Sequence, residues 1–194
     1  MREFIYFSAN AVTNGSMLAK RGLMQAGRMD IAIHTIIAAF FLSHDFRRDS
    51  KLHLIFYGQP DPPKHIEMQI SPELKINKKN IADIIKKTLY KYREGEKREV
   101  FPGIFVEKKS FLKLIESLIK EKKEIFILDK KGEDIQRVQI PENCVFVLGD
   151  QEGLPKKELR RLKEIAKKIS IGPKTYFASQ TVVIVNNELD RRGV

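Results

Sequence analysis

The run Val145-Phe146-Val147-Leu148-Gly149-Asp150-Gln151-Glu152-Gly153-Leu154-Pro155 constrains this chain more than any other stretch. Residues 144–148 are five consecutive apolar side chains, the pattern of a short strand buried on both faces. Gly149 and Gly153 break the run, and Pro155 suits the first turn of a helix. Strand, glycine-bearing turn and helix start, in that order, is how an open doubly wound sheet binds a ligand at its strand carboxyl ends. A second such element follows at Lys168-Ile169-Ser170-Ile171-Gly172-Pro173, before a helix-like run from Phe177. Each turn alone reads better as an ordinary tight turn. Two together, in a basic chain, point to a nucleotide-like cofactor and a nucleic-acid substrate.

The remaining sequence continues the alternation. Residues 3–7, 51–57, 124–128, 144–148 and 168–171 read as strands, with 65–70 as a further strand at a sheet edge and 103–106 as a short piece before a helix. Helices are expected from Asp30, as N-cap, to about His44, and over 80–92, 110–122, 155–167 and 177–189. The 80–92 helix is amphipathic through Ile81, Ile84, Ile85 and Leu89. Residues 10–28 carry glycines at 15, 22 and 27 with little periodicity and read as a long loop. Strands and helices alternating at these lengths predict an α/β fold, a mostly parallel sheet with helices on both faces. The length of 194 residues fits one domain over 1–194, and the charged segment 93–99 is the best internal boundary.

Thirty-six basic against 25 acidic side chains leave a formal net charge of +11. Residues 1–97 carry +6 of it and 98–194 the other +5, so the charge belongs to the folded body and not to a tail. Such a surface favours an anionic partner, RNA or DNA above all, or is the lysine-rich exterior of a heat-adapted protein. Cys144 is the only cysteine, which excludes an internal disulfide and a cysteine metal cluster and fits a reducing, cytoplasmic setting. The first residues lack a secretory layout, and the longest apolar run, 31–42, is too short to span a membrane. No partner in the membrane is expected.

Several chemistries are unsupported. There is no G-x-G-x-x-G after the first strand, no G-x-x-x-x-G-K-[ST], and no G-x-S-x-G. The histidines at 34, 44, 53 and 65 lack metal-ligand spacing, so no metal is expected, and His34 on its apolar helix reads as a hydrogen-bonded structural residue. Two segments keep two readings. In the 155–167 helix, Leu159, Leu162 and Ile165 form a buried stripe, while Lys156, Lys157, Arg160 and Arg161 form either a solvated face or a phosphate-contacting one. In Gly27-Arg28-Met29-Asp30, the acid is either a plain helix cap or joins Arg28 to hold a base edge and a phosphate.

Leu148-Gly149-Asp150-Gln151-Glu152-Gly153, Ile171-Gly172-Pro173 and Tyr176-Phe177-Ala178-Ser179-Gln180 resemble the cofactor loops of the SPOUT methyltransferases. Gly27-Arg28-Met29-Asp30-Ile31-Ala32-Ile33-His34 and Asn186-Asn187-Glu188-Leu189-Asp190-Arg191 resemble one branch, the archaeal tRNA pseudouridine-54 N1-methyltransferases. The resemblance spans nearly the whole chain. It implies a SPOUT-type fold with a C-terminal trefoil knot within about residues 124–194, a homodimer, tRNA as substrate and S-adenosyl-L-methionine as cofactor. It also implies cofactor contacts from Leu128, Leu148, Gly149, Asp150, Gly153, Ile171, Gly172, Pro173, Lys174, Thr175, Tyr176, Phe177 and Thr181. The position of Thr181 is often cysteine in the family; here a hydroxyl replaces the thiol. Asp30 would accept a hydrogen bond, or the proton, from N1 of the base, and Arg28 would orient it. Methylation of a ribose 2′-hydroxyl or of another base, or RNA binding without catalysis, are the alternatives.

Overall fold

The computed structural model describes all residues from Met1 to Val194. Its centre is β1 (Arg2–Ser8), seven residues that are all buried. β1 pairs in parallel with β2 (Ser50–Phe56) on one side and with β7 (Cys144–Gly149) on the other. β6 (Glu124–Asp134) and β8 (Lys167–Ser170) extend the parallel sheet beyond β7. On the opposite flank β3 (Lys64–Gln69), β5 (Ile104–Glu107) and β4 (Arg98–Phe101) add antiparallel strands, giving the order β4-β5-β3-β2-β1-β7-β6-β8. The sheet is thus mostly parallel, as the sequence predicts.

Alternation along β1, β6 and β7 divides the core in two. Phe4, Tyr6, Phe126, Phe146 and Leu148 face α1 (Gly15–Gln25), α2 (Met29–Phe40), α3 (Ile81–Tyr90) and α6 (Ala178–Arg192). Ile5, Phe7, Ile125, Ile127, Val145 and Val147 face α4 (Phe111–Lys120) and α5 (Lys156–Leu162). No helix is long and apolar enough to cross a membrane.

Several expectations change. Residues 10–28 are not a loop: Asn14 caps α1, its side chain accepting from the Ser16 amide at 2.7 Å, and Gly22 kinks the helix at a φ of 71°. The low helix propensity of its glycines hides an element that packing on α3 sustains. Asp30 is not the N-cap of α2; Arg28 holds that position, and Asp30 lies within the first turn, where a carboxylate suits the helix dipole. Residues 65–70 are not an edge, because β3 sits between β2 and β5. The charged segment 93–99 is no boundary either, since Arg98 opens β4 in the same sheet. The helix expected over 155–167 ends at Leu162, with Ile165 half exposed and Lys167 already in β8.

Phe146 carries the larger core cluster across the sheet, its ring 5.6 Å from Phe4 and 5.7 Å from Phe126, with no exposed surface. Phe146→Ala should therefore cost about 3–5 kcal/mol. Guanidinium denaturation reads this as a lower midpoint at unchanged slope; a loss under about 1 kcal/mol would show that the neighbouring rings close the gap.

Candidate functional site

The carboxyl ends of β6, β7 and β8, with the loops after them, frame a cleft of about 550 Å³. That is the size of a small-molecule site, placed where parallel strands bind their ligands. Every residue expected to contact a cofactor lines it except Pro173, which stands exposed outside. Leu128, Leu148 and Ile171 supply apolar walls, and the 149–153 and 171–177 segments supply the rims. Thr181, on the first turns of α6, closes one side and is 8% exposed.

The turn after β7 is built differently from the sequence expectation. A Cβ on Gly149 would lie 2.4 Å from the Gly153 carbonyl carbon, so the bare glycine lets the turn fold back on itself. Gly153, at a φ of 77°, has nothing within 4 Å of where its Cβ would stand, and it lines the cleft. Asp150 also lines the cleft, yet its carboxylate is engaged internally. One oxygen accepts from the Ser8 hydroxyl at 2.7 Å, the other from the Glu152 amide at 2.9 Å. Asn10 in turn donates to the Glu152 carboxylate at 2.9 Å. The turn is thereby stapled to the end of β1.

Arg28 and Asp30 stand beside this staple, at the start of α2. The connection before them is tight: a Cβ on Gly27 would meet the Asn10 carbonyl oxygen at 1.7 Å, so only glycine lets the 26–28 backbone lie against residue 10. Arg28 adopts a left-handed conformation, φ 60° and ψ 42°, which turns the chain into α2. Its guanidinium grips Asp30 with two bonds, Nε to Oδ1 at 3.0 Å and Nη2 to Oδ2 at 2.9 Å. Those bonds hold the Asp30 carboxyl below the usual carboxylate range. Arg28 and Asp30 do not line the cleft themselves, but the next residue, Ile31, does.

Tyr6 joins the two halves, although in the sequence it reads as one more apolar strand residue and gives no signal of its own. Its side chain is fully buried on β1, and its hydroxyl has no hydrogen-bond partner. Burial first, then the negative Asp150 and more weakly Asp30, push its pKa up. The phenol therefore stays neutral between the turn after β7 and the Arg28–Asp30 pair. Ser8 is likewise absent from the residues that the sequence singles out; a lone hydroxyl ending an apolar strand is the one signal for it.

Two surfaces flank the cleft. On α5, Lys156, Lys157, Arg160 and Arg161 are all exposed. On the other side, a groove of about 980 Å³ between α2 and α6 is lined by Ile37, Phe41, Leu42, Val183 and Ile184. It shares Tyr176 and Gln180 with the cleft. His34 lies in this groove, exposed, and is not the hydrogen-bonded core residue that its apolar helix predicts.

Residues 1–194 match the model of the family described as "Putative SAM-dependent RNA methyltransferase". Among curated proteins, the tRNA (pseudouridine(54)-N(1))-methyltransferase of Methanocaldococcus jannaschii is 37% identical, over 100% of this chain and 98% of that protein. Those of Pyrococcus abyssi and Thermococcus kodakarensis are 38% and 37% identical, covering 100% and 98% of this chain and 100% and 99% of theirs. Among solved structures, Archaeoglobus fulgidus Nep1 bound to S-adenosylhomocysteine superposes with a TM-score of 0.63. At 15% identity, over 100% of this chain and 99% of that one, it speaks for a common fold alone. With its whole length matched by both the family model and these relatives, the chain belongs to the S-adenosylmethionine-dependent RNA methyltransferase family of the tRNA (pseudouridine(54)-N(1))-methyltransferases.

Proposed function

We propose that this protein transfers a methyl group from S-adenosylmethionine to N1 of pseudouridine at position 54 of tRNA. The observation that carries the substrate is the 37–38% identity, over the whole chain, to relatives of that name. The cleft supports the cofactor. Its volume, its apolar walls at Leu128, Leu148 and Ile171, and the open space at Gly153 suit an adenosyl group laid against backbone. Acting on tRNA, the protein would work in the cytoplasm, as one unit of residues 1–194. The groove between α2 and α6 supports a homodimer, since Leu42 and Val183 are 45% and 53% exposed there and the groove adjoins the cleft. A trefoil knot at the C-terminal end belongs to the same proposal; there β6 meets Ile169 of β8 at Leu128 and again at Glu133, across a break in register.

When bound, S-adenosylmethionine supplies a methyl group already activated by its sulfonium. The chain's own task is to hold the base with N1 in line and to exclude water. Asp30 accepts a hydrogen bond from the N1–H group, and Arg28 fixes the carboxylate while keeping part of its guanidinium exposed to the RNA. A carboxylate held ionised by two guanidinium bonds is a strong acceptor and a weak base. Asp30 therefore orients the base, and the N1 proton leaves to solvent.

Incubation of the protein with cofactor and a tRNA bearing pseudouridine at position 54 should yield N1-methylpseudouridine by nucleoside mass spectrometry. A product methylated on ribose or on another base would replace this substrate assignment. Binding of RNA with no turnover and no cofactor affinity would leave a non-catalytic RNA-binding protein.

Asp30→Asn should lower the methylation rate on the order of a hundredfold by misplacing the base. Loss of the charge at the helix start should cost only about 0.3–1 kcal/mol of stability, and the exposed ion pair adds little to that. Because Arg28 depresses its pKa, Asp30 stays ionised at and above the usual carboxylate range and its charge disappears only in stronger acid. The rate loss should therefore be constant across about pH 6 to 9, far above any carboxylate titration. A deficit that closes at high pH would restore a proton-accepting role.

Replacing Lys156, Lys157, Arg160 and Arg161 by alanine should weaken tRNA binding and flatten its salt dependence by about one logarithmic unit for each phosphate no longer neutralised. Cofactor affinity should stay unchanged. Unaltered tRNA binding would return the outer face of α5 to solvent.

A further inference from the structure

The histidines carry more than their spacing shows. His53 on β2 and His65 on β3 are twelve positions apart, with no ligand motif between them. The antiparallel β2–β3 pairing sets His53 opposite Glu67, and the β3–β5 pairing sets His65 opposite Glu107. All point to the face that holds Ile5, Phe7 and Ile55, at the side of that core away from the cofactor cleft. Both imidazoles are buried, His53 at 2% and His65 at 1% exposure.

Counting donors exposes a gap at the centre. The His53 Nε2 lies 2.6 Å from Glu3 Oε1, and the His65 Nδ1 lies 2.9 Å from Glu107 Oε1. An ionised carboxylate only accepts, so each of these outer nitrogens carries its ring's hydrogen. Lys123 pairs with Glu3, and Lys109 lies 3.6 Å from Glu107, so each carboxylate has a cationic partner besides its imidazole. A neutral imidazole has one N–H. The inner nitrogens, His53 Nδ1 and His65 Nε2, then present lone pairs to each other at 2.8 Å. Two lone pairs at that distance repel unless a positive centre lies between them. A shared proton, which makes one ring an imidazolium, is one such centre. A metal cation meets the same need and finds a third donor, because the His53, His65 and Glu67 ligand atoms lie within 4.8 Å of one another.

We propose that His53, His65 and Glu67 bind one divalent cation of the zinc class, tying the parallel half of the sheet to its antiparallel half. Two imidazoles and a carboxylate are a donor set that zinc favours over calcium or magnesium. Both rings already give their distal N–H to a carboxylate, the supporting arrangement that orients metal-ligating histidines. Tetrahedral zinc, with Zn–N near 2.0–2.1 Å, sets its ligand nitrogens roughly 3.3 Å apart, so the rings must part by about half an ångström. Glu67 accepts from Lys97 through Oε2 at 2.8 Å, which leaves its other oxygen for the ion. The site stands apart from methyl transfer and would hold whatever the substrate.

The full-length protein, stripped with a chelator and dialysed against zinc chloride alone, should bind one equivalent of zinc by elemental analysis and melt at a higher temperature. X-ray absorption should show two imidazole nitrogens on the ion. A variant lacking the exposed His34 and His44 should keep its zinc. Glu67→Gln, and Glu107→Gln, which unseats the His65 tautomer, should each weaken zinc binding about ten- to a hundredfold. Near-UV circular dichroism confirms that these variants are folded. Less than one equivalent in the parent protein, or affinity unchanged in both glutamine variants, overturns the proposal and leaves a proton-bridged histidine pair. Loss of zinc from the His34, His44 variant overturns it too, as surface binding.

Discussion

The structure depends on one buried contact, the Ser8 hydroxyl on the Asp150 carboxylate at 2.7 Å. It lies at the carboxyl end of β1, where the chain's first strand meets the turn after its seventh, 142 residues later. A neutral donor on a carboxylate, held away from water, is a strong and directional tie. The Asp150 amide adds a backbone bond to the Phe7 carbonyl at 2.9 Å, and the Ala11 amide donates to the same Ser8 oxygen at 3.1 Å. The turn after β7, the end of β1 and the segment leading to α1 and α2 are therefore bonded to one another.

That tie also separates what the sequence reveals from what it conceals. The strand–turn–helix pattern at 144–156 is legible because its signals are local: five apolar residues, two glycines and a proline. Two such turns mark Gly149, Gly153 and Gly172, the other expected cofactor contacts come from the family resemblance, and all but Pro173 line the cleft. The errors have a different origin. Asp30 has the composition of a cap, but its carboxylate answers to Arg28 two residues earlier, and a left-handed Arg28 takes the cap position instead. Gly149 has the composition of a ligand-admitting glycine, but it makes room for its own turn. In both, residue type gives the location correctly while the physical reason is a short-range contact, Arg28 with Asp30 and Gly149 with Gly153, whose geometry residue type alone does not specify.

Long-range polar contacts are the least legible part. Tyr6 sits in an apolar run, and only the fold sets its hydroxyl near Asp150 and Asp30. His53 and His65 approach because two antiparallel ladders, β2–β3 and β3–β5, share one face. The α1 helix escapes periodicity for a related reason. Its nearby glycines lower intrinsic helicity, whereas its stability comes from burying Leu18 and Gly15 against the body of the protein. Elements maintained by tertiary contact are the ones that periodicity misses.

The Arg28–Asp30 pair also bears on how a site without a strong base could methylate a ring nitrogen. Two carboxylate oxygens bonded to one guanidinium leave Asp30 more acidic, not more basic. Tyr6 is shifted the other way, its proton held more tightly by burial and by Asp150. Neither group beside the rim is therefore tuned toward neutral pH, where a general base works best. What the chain builds is position: a glycine that lets residue 10 lie against the 26–28 backbone, a left-handed turn into α2, and a bidentate ion pair that fixes one carboxylate. With a donor as electrophilic as a sulfonium methyl, alignment lowers the barrier more than proton abstraction would, and the proton can follow once the new bond has made N1 acidic. For the roles proposed for Arg28 and Asp30, orientation set by backbone geometry is the means by which this site would act.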